Sequence, residues 1–256
     1  MNRELDLSVS VYGVTCDKKY DLAILPWGAT EPHNLHLPYL TDSILSHDVA
    51  VDAAQKAFEE YGVRCMVLPP VNMGAQNPGQ RDLPFCIHYR SETQKAILAD
   101  IVVSLQHQGI RKLLIVNGHG GNVFKGMIRD LAVDYPDFLI ASSEWFKMAS
   151  AKEFFDNPGD HADEIETSVM LYYHSELVLL EKAGEGRAKG FAVPALADGK
   201  VWIPRHWTLV TKDTGIGNPK ASTAEKGKCF VQAVVEAYAA FLKDYTNIQK
   251  LTDLYK

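Results

Sequence analysis

Residues 28–42 read GATEPHNLHLPYLTD. Glu31, His33, His36 and Asp42 crowd into this one stretch, directly behind the apolar run Leu22-Ala23-Ile24-Leu25. A buried strand that empties into a polar loop punctuated by Pro32 and Pro38 carries its chemistry at the strand's carboxyl end. Each residue also has a plainer reading. Asp42 can cap a following helix, Glu31 can be a solvated loop carboxylate, and His36, between Leu35 and Leu37, suits a packed histidine better than a ligand.

Working outward, residues 43–61 carry Ile44, Val49, Ala53, Ala57 and Phe58 near helical spacing, and Gly62 fits the C-cap. Apolar runs recur at 64–68, 112–116 and 138–141, with helical stretches at 91–108 and 123–133 between them. Ser91 with Gln94, and Ser222 with Glu225 ahead of a last helix over 222–244, have capping-box spacing. The strands are continuous apolar runs rather than alternating ones, which marks a parallel sheet covered on both faces. The expectation is one α/β domain over residues 1–256, a three-layer α/β/α sandwich with a mostly parallel central sheet. A further apolar helix is expected over 162–180. Residues 184–220, rich in glycine and proline, read as long ordered loops or short strands.

The bulk composition narrows the function classes. A chain of 256 residues, 46% hydrophobic and 23% charged, is an ordinary globular protein. A net charge of −6 with scattered Lys and Arg argues against a nucleic-acid or anionic-membrane partner. Cys16, Cys65, Cys86 and Cys229 form no CxxC pair; they read as reduced thiols, Cys65 and Cys229 in apolar surroundings. No signal-peptide pattern and no membrane-span-length apolar run is evident, so the expected location is cytoplasmic.

Two further clusters join the first. The run Asn117-Gly118-His119-Gly120-Gly121-Asn122 follows the third strand, and its glycines permit close approach of backbone to a ligand. The run from Asp160 through His161, Asp163 and Glu164 to Glu166 opens an apolar helix. Acids in a first turn are favoured by the helix dipole. Glu166, however, sits beside the stripe Ile165, Val169, Tyr172, and a carboxylate there requires a partner. Carboxylates with imidazoles suit Zn²⁺, Mn²⁺ or Fe²⁺. A metal-free alternative treats the glycine-rich turn as a phosphate-binding nest.

Together these segments resemble the creatininase (creatinine amidohydrolase) family. The loop 28–42 follows its G-S-x-E-Q-H-G-x-H-L-P-x-x-T-D motif, residues 117–122 its N-G-H-G-G-N, and residues 161–168 its H-A-G-x-x-E-T-S. Gly217-Asn218-Pro219 with Ala224-Glu225-Lys226-Gly227 is similar to a fourth segment. The resemblance implies a metal-dependent amidohydrolase with two divalent ions, zinc first and manganese or iron as alternatives. It implies Glu31, His33, Asp42, His119 and Glu166 as ligands, with Asp42 bridging, and often a homohexamer. His161, with Asp160 or Glu164, would move the proton. Gly120, Gly121, Asn122 and Trp145 would contact a small cyclic amide, amidine or formamide, and Trp202, Trp207 and Phe85 could add walls. The rival is a non-catalytic metal- or ligand-binding module on the same fold. Three departures from the family pattern stand out. Pro32 and Asn34 replace Gln and Gly. Gly121 stands where creatinine-hydrolysing members carry a ligating Glu. Residues 80–86 keep only the proline of H-x-x-F-P-G-T, so creatinine itself is in question.

Overall fold

A computed structural model describes residues 4–255. The sheet has four strands, β1 (Leu22–Trp27), β2 (Cys65–Val67), β3 (Lys112–Asn117) and β4 (Leu139–Glu144). All pair in parallel, in the order β2-β1-β3-β4. Between and after them run α1 (Thr41–Tyr61), α2 (Ser91–His107), α3 (Phe124–Asp134), α4 (Glu164–His174) and α5 (Ala224–Asn247). Alternate strand residues feed two separate cores. Leu22, Ile24, Leu114 and Val116 pack with Leu45, Val49, Val169 and Phe230 of α1, α4 and α5. Ala23, Leu25, Leu113 and Ile115 pack with Leu98, Val102, Met127 and Leu131 of α2 and α3. A strand buried on both faces has no polar side to show, which explains its unbroken apolar sequence.

The chain steps from β1 to β2 through α1 on one face, then from β2 back across β1 to β3 through α2 on the other. The connections therefore diverge between β1 and β3, the place where an open parallel sheet leaves a crevice at its carboxyl edge. The loops after β1 and β3 are the two histidine-bearing loops. Both press on the start of α1. A Cβ built at Gly28 would fall on Ser43, and one at Gly118 on the carbonyl oxygen of Asp42.

Several local expectations shift. Asp42 is not a cap: it lies inside the first turn of α1, behind Leu40, whose side chain makes no capping bond. Ser91 is the first residue of α2, not its cap, and Gln94 Nε2 instead donates to the Tyr89 carbonyl at 3.2 Å. Thr223, one residue beyond Ser222, caps α5 through the Lys226 N–H. α4 ends at His174 rather than running to 180, and single 3₁₀ turns follow. Cys65 is buried as expected, but Cys229 is exposed, on the outer side of α5. Among the described residues no helix is long and apolar enough to cross a membrane.

A network away from the crevice joins three elements. His47 of α1 reaches Asp6 at 3.2 Å and Asp48 at 3.4 Å, while Asp48 also meets His174 of α4 at 2.6 Å. Burial alone would lower the His47 pKa, but Asp48 and Asp6 override it and raise it. A histidine whose folded pKa is raised adds stability that is complete below its unfolded pKa, about 6.5, and is lost as pH climbs through the folded value. His47→Gln should therefore destabilise the protein most near about pH 6, with the deficit shrinking by about pH 9, in denaturant titrations at each pH. The glycines give a second check. Gly118→Ala should lower stability by ~1–3 kcal/mol through overpacking. Gly126→Ala, in open space within α3, should raise it by up to ~1 kcal/mol in the same melts.

Candidate metal centre

Each loop delivers its side chains by a different local device. Asn34 adopts φ +53, in the left-handed region that Gly enters freely and Asn tolerates. At the family's glycine position Asn34 thus adopts a conformation that glycine enters freely. Its Oδ1 accepts the N–H groups of Leu35 at 2.7 Å and Gly184 at 2.9 Å, tying the loop to the 184–217 segment. Asp42 enters from the first turn of α1 and Glu166 from the first turn of α4, where helix dipoles favour negative charge. Asp163 caps α4 by accepting from the Ile165 and Glu166 N–H groups, both at 3.0 Å. Ala162 takes φ +48 and aims its N–H at Glu166 Oε2, 2.5 Å away.

Glu31, His33, Asp42, His119, His161 and Glu166 converge and are all buried. Three histidines are held in the same manner. Each gives its outward ring nitrogen to a backbone carbonyl: His33 Nδ1 to Glu31 at 3.0 Å, His119 Nε2 to Ala75 at 2.7 Å, and His161 Nε2 to Pro32 at 2.9 Å. A carbonyl can only accept, so each outward nitrogen carries the proton and the inward one is left bare in the neutral ring. The inward atoms face carboxylates. His33 Nε2 lies 2.9 Å from Asp42 Oδ1. His119 Nδ1 lies 2.9 Å from Glu31 Oε1 and 3.2 Å from Asp42 Oδ2, and His161 Nδ1 lies 3.6 Å from Glu31 Oε1.

Lone pairs aimed at carboxylate oxygens repel unless a cation stands between them. The protein alone can supply only protons. Burial by itself would depress the His33 pKa, yet Asp42, Glu166 and Glu31 push it up to about 10. His119 is raised in the same way by Glu31 and Asp42. Burial, reinforced by Asp42 and Asp163, pushes Glu166 up to about 8. Burial and the His33 charge lower His161. Glu31 Oε1 and Asp42 Oδ2 are buried, and while the His119 ring is neutral neither has a hydrogen-bond donor, their nearest polar neighbour being its bare Nδ1. This donor set fits a divalent cation. Three overlapping groups could hold one: Glu31, Asp42 and His119; His33, Asp42 and Glu166; Glu31, His33 and His161.

Not every expected residue arrives. Glu164 is buried but turned away. It accepts from the Asn157 N–H and from Lys226 Nζ, each at 2.6 Å, and so anchors α4 to α5. Trp145 lies in the core against Phe146 and Phe230 rather than on a cavity wall. Asn122 holds the second loop together, accepting the Ala75 N–H at 3.0 Å and donating to the Gly28 carbonyl at 3.2 Å. His36 stays off the cluster, its Nε2 2.8 Å from the Thr167 hydroxyl. Gly121 admits no side chain, because a Cβ there would fall on the Ala75 carbonyl and His119 Nε2. One residue went unread in the sequence. Buried Gln80, from the loop-like 71–90 stretch, donates its amide to Glu31 Oε2. Its sole signal in the sequence is its place at the histidine of the segment H-x-x-F-P-G-T, which points to the pocket and not to Glu31.

Two cavities reach the cluster and share part of its border. The larger, about 820 Å³, touches Asp42 and Glu166 and runs out past Phe146, Lys147 and Lys152. The smaller, about 440 Å³, touches Glu31 and runs out past Gln76, Trp202 and Arg205. His119, Gly120, Asp160 and His161 border both.

Residues 13–242 match the model of the creatininase family, described as creatinine amidohydrolase. The chain belongs to the creatininase family. Family membership agrees with the parallel four-stranded sheet flanked by helices. A crystal structure of a candidate creatinine amidohydrolase from Bacteroides fragilis NCTC 9343 superposes with a TM-score of 0.96 at 59% identity, over 100% of each chain. The mycofactocin precursor peptide peptidase of Mycobacterium ulcerans (strain Agy99) is 29% identical, covering 83% of this chain and 81% of its own. A manganese form of creatininase shares the fold, with a TM-score of 0.76 at 19% identity over 96% of this chain and 100% of the other.

The cluster should bind a divalent ion, and removal of a partner should be felt. Asp42→Ala and His119→Ala should each abolish stoichiometric metal by elemental analysis. Gln80→Ala should weaken binding ~10–100-fold, as loss of an orienting partner does. Because His33 and His119, both raised in pKa, must shed protons to bind, affinity should rise with pH from about pH 6 up to about pH 10. Unchanged metal content in Asp42→Ala, or affinity flat with pH, would contradict this reading.

Proposed function

We propose that this protein is a metal-dependent hydrolase of an amide-type C–N bond. The observation that carries the reading is the pair of orphaned, buried carboxylate oxygens on Glu31 and Asp42, faced by bare imidazole nitrogens. Glu31, Asp42 and His119 would hold one ion, and His33, Asp42 and Glu166 a second, so that Asp42 serves both. Zinc suits the mixed imidazole–carboxylate set, as do manganese and iron. When bound, such ions supply a hydroxide-like nucleophile at neutral pH and polarise the carbonyl under attack.

The remaining work falls to the chain. Burial lowers the His161 pKa, which keeps the ring neutral near pH 7. With Nε2–H committed to the Pro32 carbonyl, Nδ1 is free to take a proton and return it to the leaving nitrogen. Asp160 precedes it at the mouth and pairs with Arg205 at 2.6 Å, which holds the 160–161 turn against the 199–207 segment. Trp207 packs edge-on against the His161 ring at 5.2 Å and fixes its plane. Gly120, without a side chain to obstruct either cavity, lets the substrate carbonyl come close. The overall change is balanced: the C–N bond breaks, the hydroxyl of water joins the acyl carbon, and a proton joins the nitrogen. A compact ring amide, amidine or formamide and a peptide both satisfy this chemistry.

A panel of amides, creatinine and peptides among them, offered to the metal-loaded protein tests the proposal. Hydrolysis should vanish on chelation and return with Zn²⁺ or Mn²⁺. His161→Ala should lower kcat ~10²-fold or more, the loss typical of a missing proton-transfer group. Activity that survives chelation would end the metal-hydrolase reading.

A further inference from the structure

The two cavities are more space than a compact ring uses. Each alone falls within the range of sites that enclose a whole drug-sized ligand, about 300–1,000 Å³. Here both border one cluster and meet at His119, Gly120, Asp160 and His161, about 820 Å³ where Asp42 and Glu166 line it and about 440 Å³ where Glu31 does. A scissile bond at the cluster therefore adjoins room for a substantial group in each cavity.

The smaller cavity carries a more pointed feature. Gln76 lines it and is only 9% exposed, yet neither Oε1 nor Nε2 of its side chain has a partner in the protein. Its backbone N–H is satisfied, by His88 Nδ1 at 2.9 Å, so the main chain is fixed while the carboxamide is not. A buried amide left with an unused donor and an unused acceptor is costly, and most such groups in folded proteins are paired. Rotation of the side chain towards the cavity would present N–H and C=O together, the pattern that matches another amide group. Beyond Gln76 the wall mixes the Arg205–Asp160 pair with two open apolar side chains, Trp202, 82% exposed, and Ile203, 50% exposed. An aromatic ring exposed on a cavity wall suits a flat or apolar substituent.

We propose that the substrate is an extended, acyclic amide chain spanning both cavities, and that Gln76 recognises a second amide group of that chain while Trp202 and Ile203 receive the adjoining side group. The proposal rests on the hydrolase reading and adds to it the form of the substrate and a specificity-determining residue.

The test uses the full-length, metal-loaded protein and a pooled library of linear peptides, with creatinine and N-formyl amides as compact comparators, read by mass spectrometry. Peptides should be cleaved with a higher kcat/KM than any compact amide. For the best peptide, each non-scissile amide is then replaced in turn by an ester, which deletes one N–H. One replacement should lower kcat/KM about tenfold in the unaltered protein, the loss expected for a hydrogen bond to a buried polar group. Gln76→Leu should cost the parent peptide a similar factor and be indifferent to that same replacement. Trp202→Ala should raise KM more than it lowers kcat. Esters that act equally on the unaltered protein and on Gln76→Leu overturn the role of Gln76. The ester series on the unaltered protein keeps the test intact should Gln76→Leu fold poorly. Compact amides turned over as well as peptides overturn the extended substrate and leave the hydrolase reading standing. Hydrolysis of no amide at all overturns both.

Discussion

Two carboxylates, Glu31 and Asp42, are buried with one oxygen each left unpaired, and the rest of the crevice is arranged around that cost. Removing an ionised carboxylate from water is expensive, and a protein tolerates it only with opposite charge or hydrogen-bond donors close by. The donors provided here are partial. Gln80 serves one oxygen of Glu31, and the first turn of α1 offers Asp42 a favourable dipole. The histidines answer the remainder only by holding protons, which is why His33 and His119 are driven upward in pKa while burial and the His33 charge drive His161 down. A divalent cation relieves all of these tensions together.

The sheet topology makes the crowding possible. Because connections leave β1 and β3 towards opposite faces, their loops are neighbours with no helix crossing between them. Glycines then bring backbone against backbone. Gly28 and Gly118 sit where any side chain would strike Ser43 or Asp42, so the first turn of α1 is clamped between the two loops. At Gly121 the same logic excludes a ligand, since the space is already filled by His119 and the Ala75 carbonyl. The cluster draws its remaining carboxylate from Glu166 on α4, whose entry is fixed by the Asp163 cap and by the Glu164–Lys226 contact with α5.

The sandwich was legible because its cause is local. A strand covered on both faces must be apolar throughout, so β1 and β3 announce themselves within a few residues. The motif loops were legible as well, since metal-ligand side chains beside glycine and proline are rare in ordinary turns. Less visible were the groups that act through contacts distant in sequence. Glu164 reads like a proton carrier beside His161, but Lys226, far along the chain, claims it. Trp145 reads like a pocket wall, but Phe230 of α5 packs against it in the core. Gln80 and Gln76 look like loop polarity until the fold buries both.

Sequence alone thus determined the alternation of strands and helices, the family, and the candidate ligands Glu31, His33, Asp42, His119 and Glu166, because apolar period and motif spacing are properties of short segments. Tertiary structure decided which nitrogen of each histidine faces inward, that Asp42 lies inside the first turn of α1 and belongs to two candidate groups rather than capping the helix, and that two cavities meet at one cluster. Those outcomes depend on backbone carbonyls from Ala75 and Pro32 and on close approaches at Gly28 and Gly118. Such contacts exist only once segments separated along the chain are folded against one another.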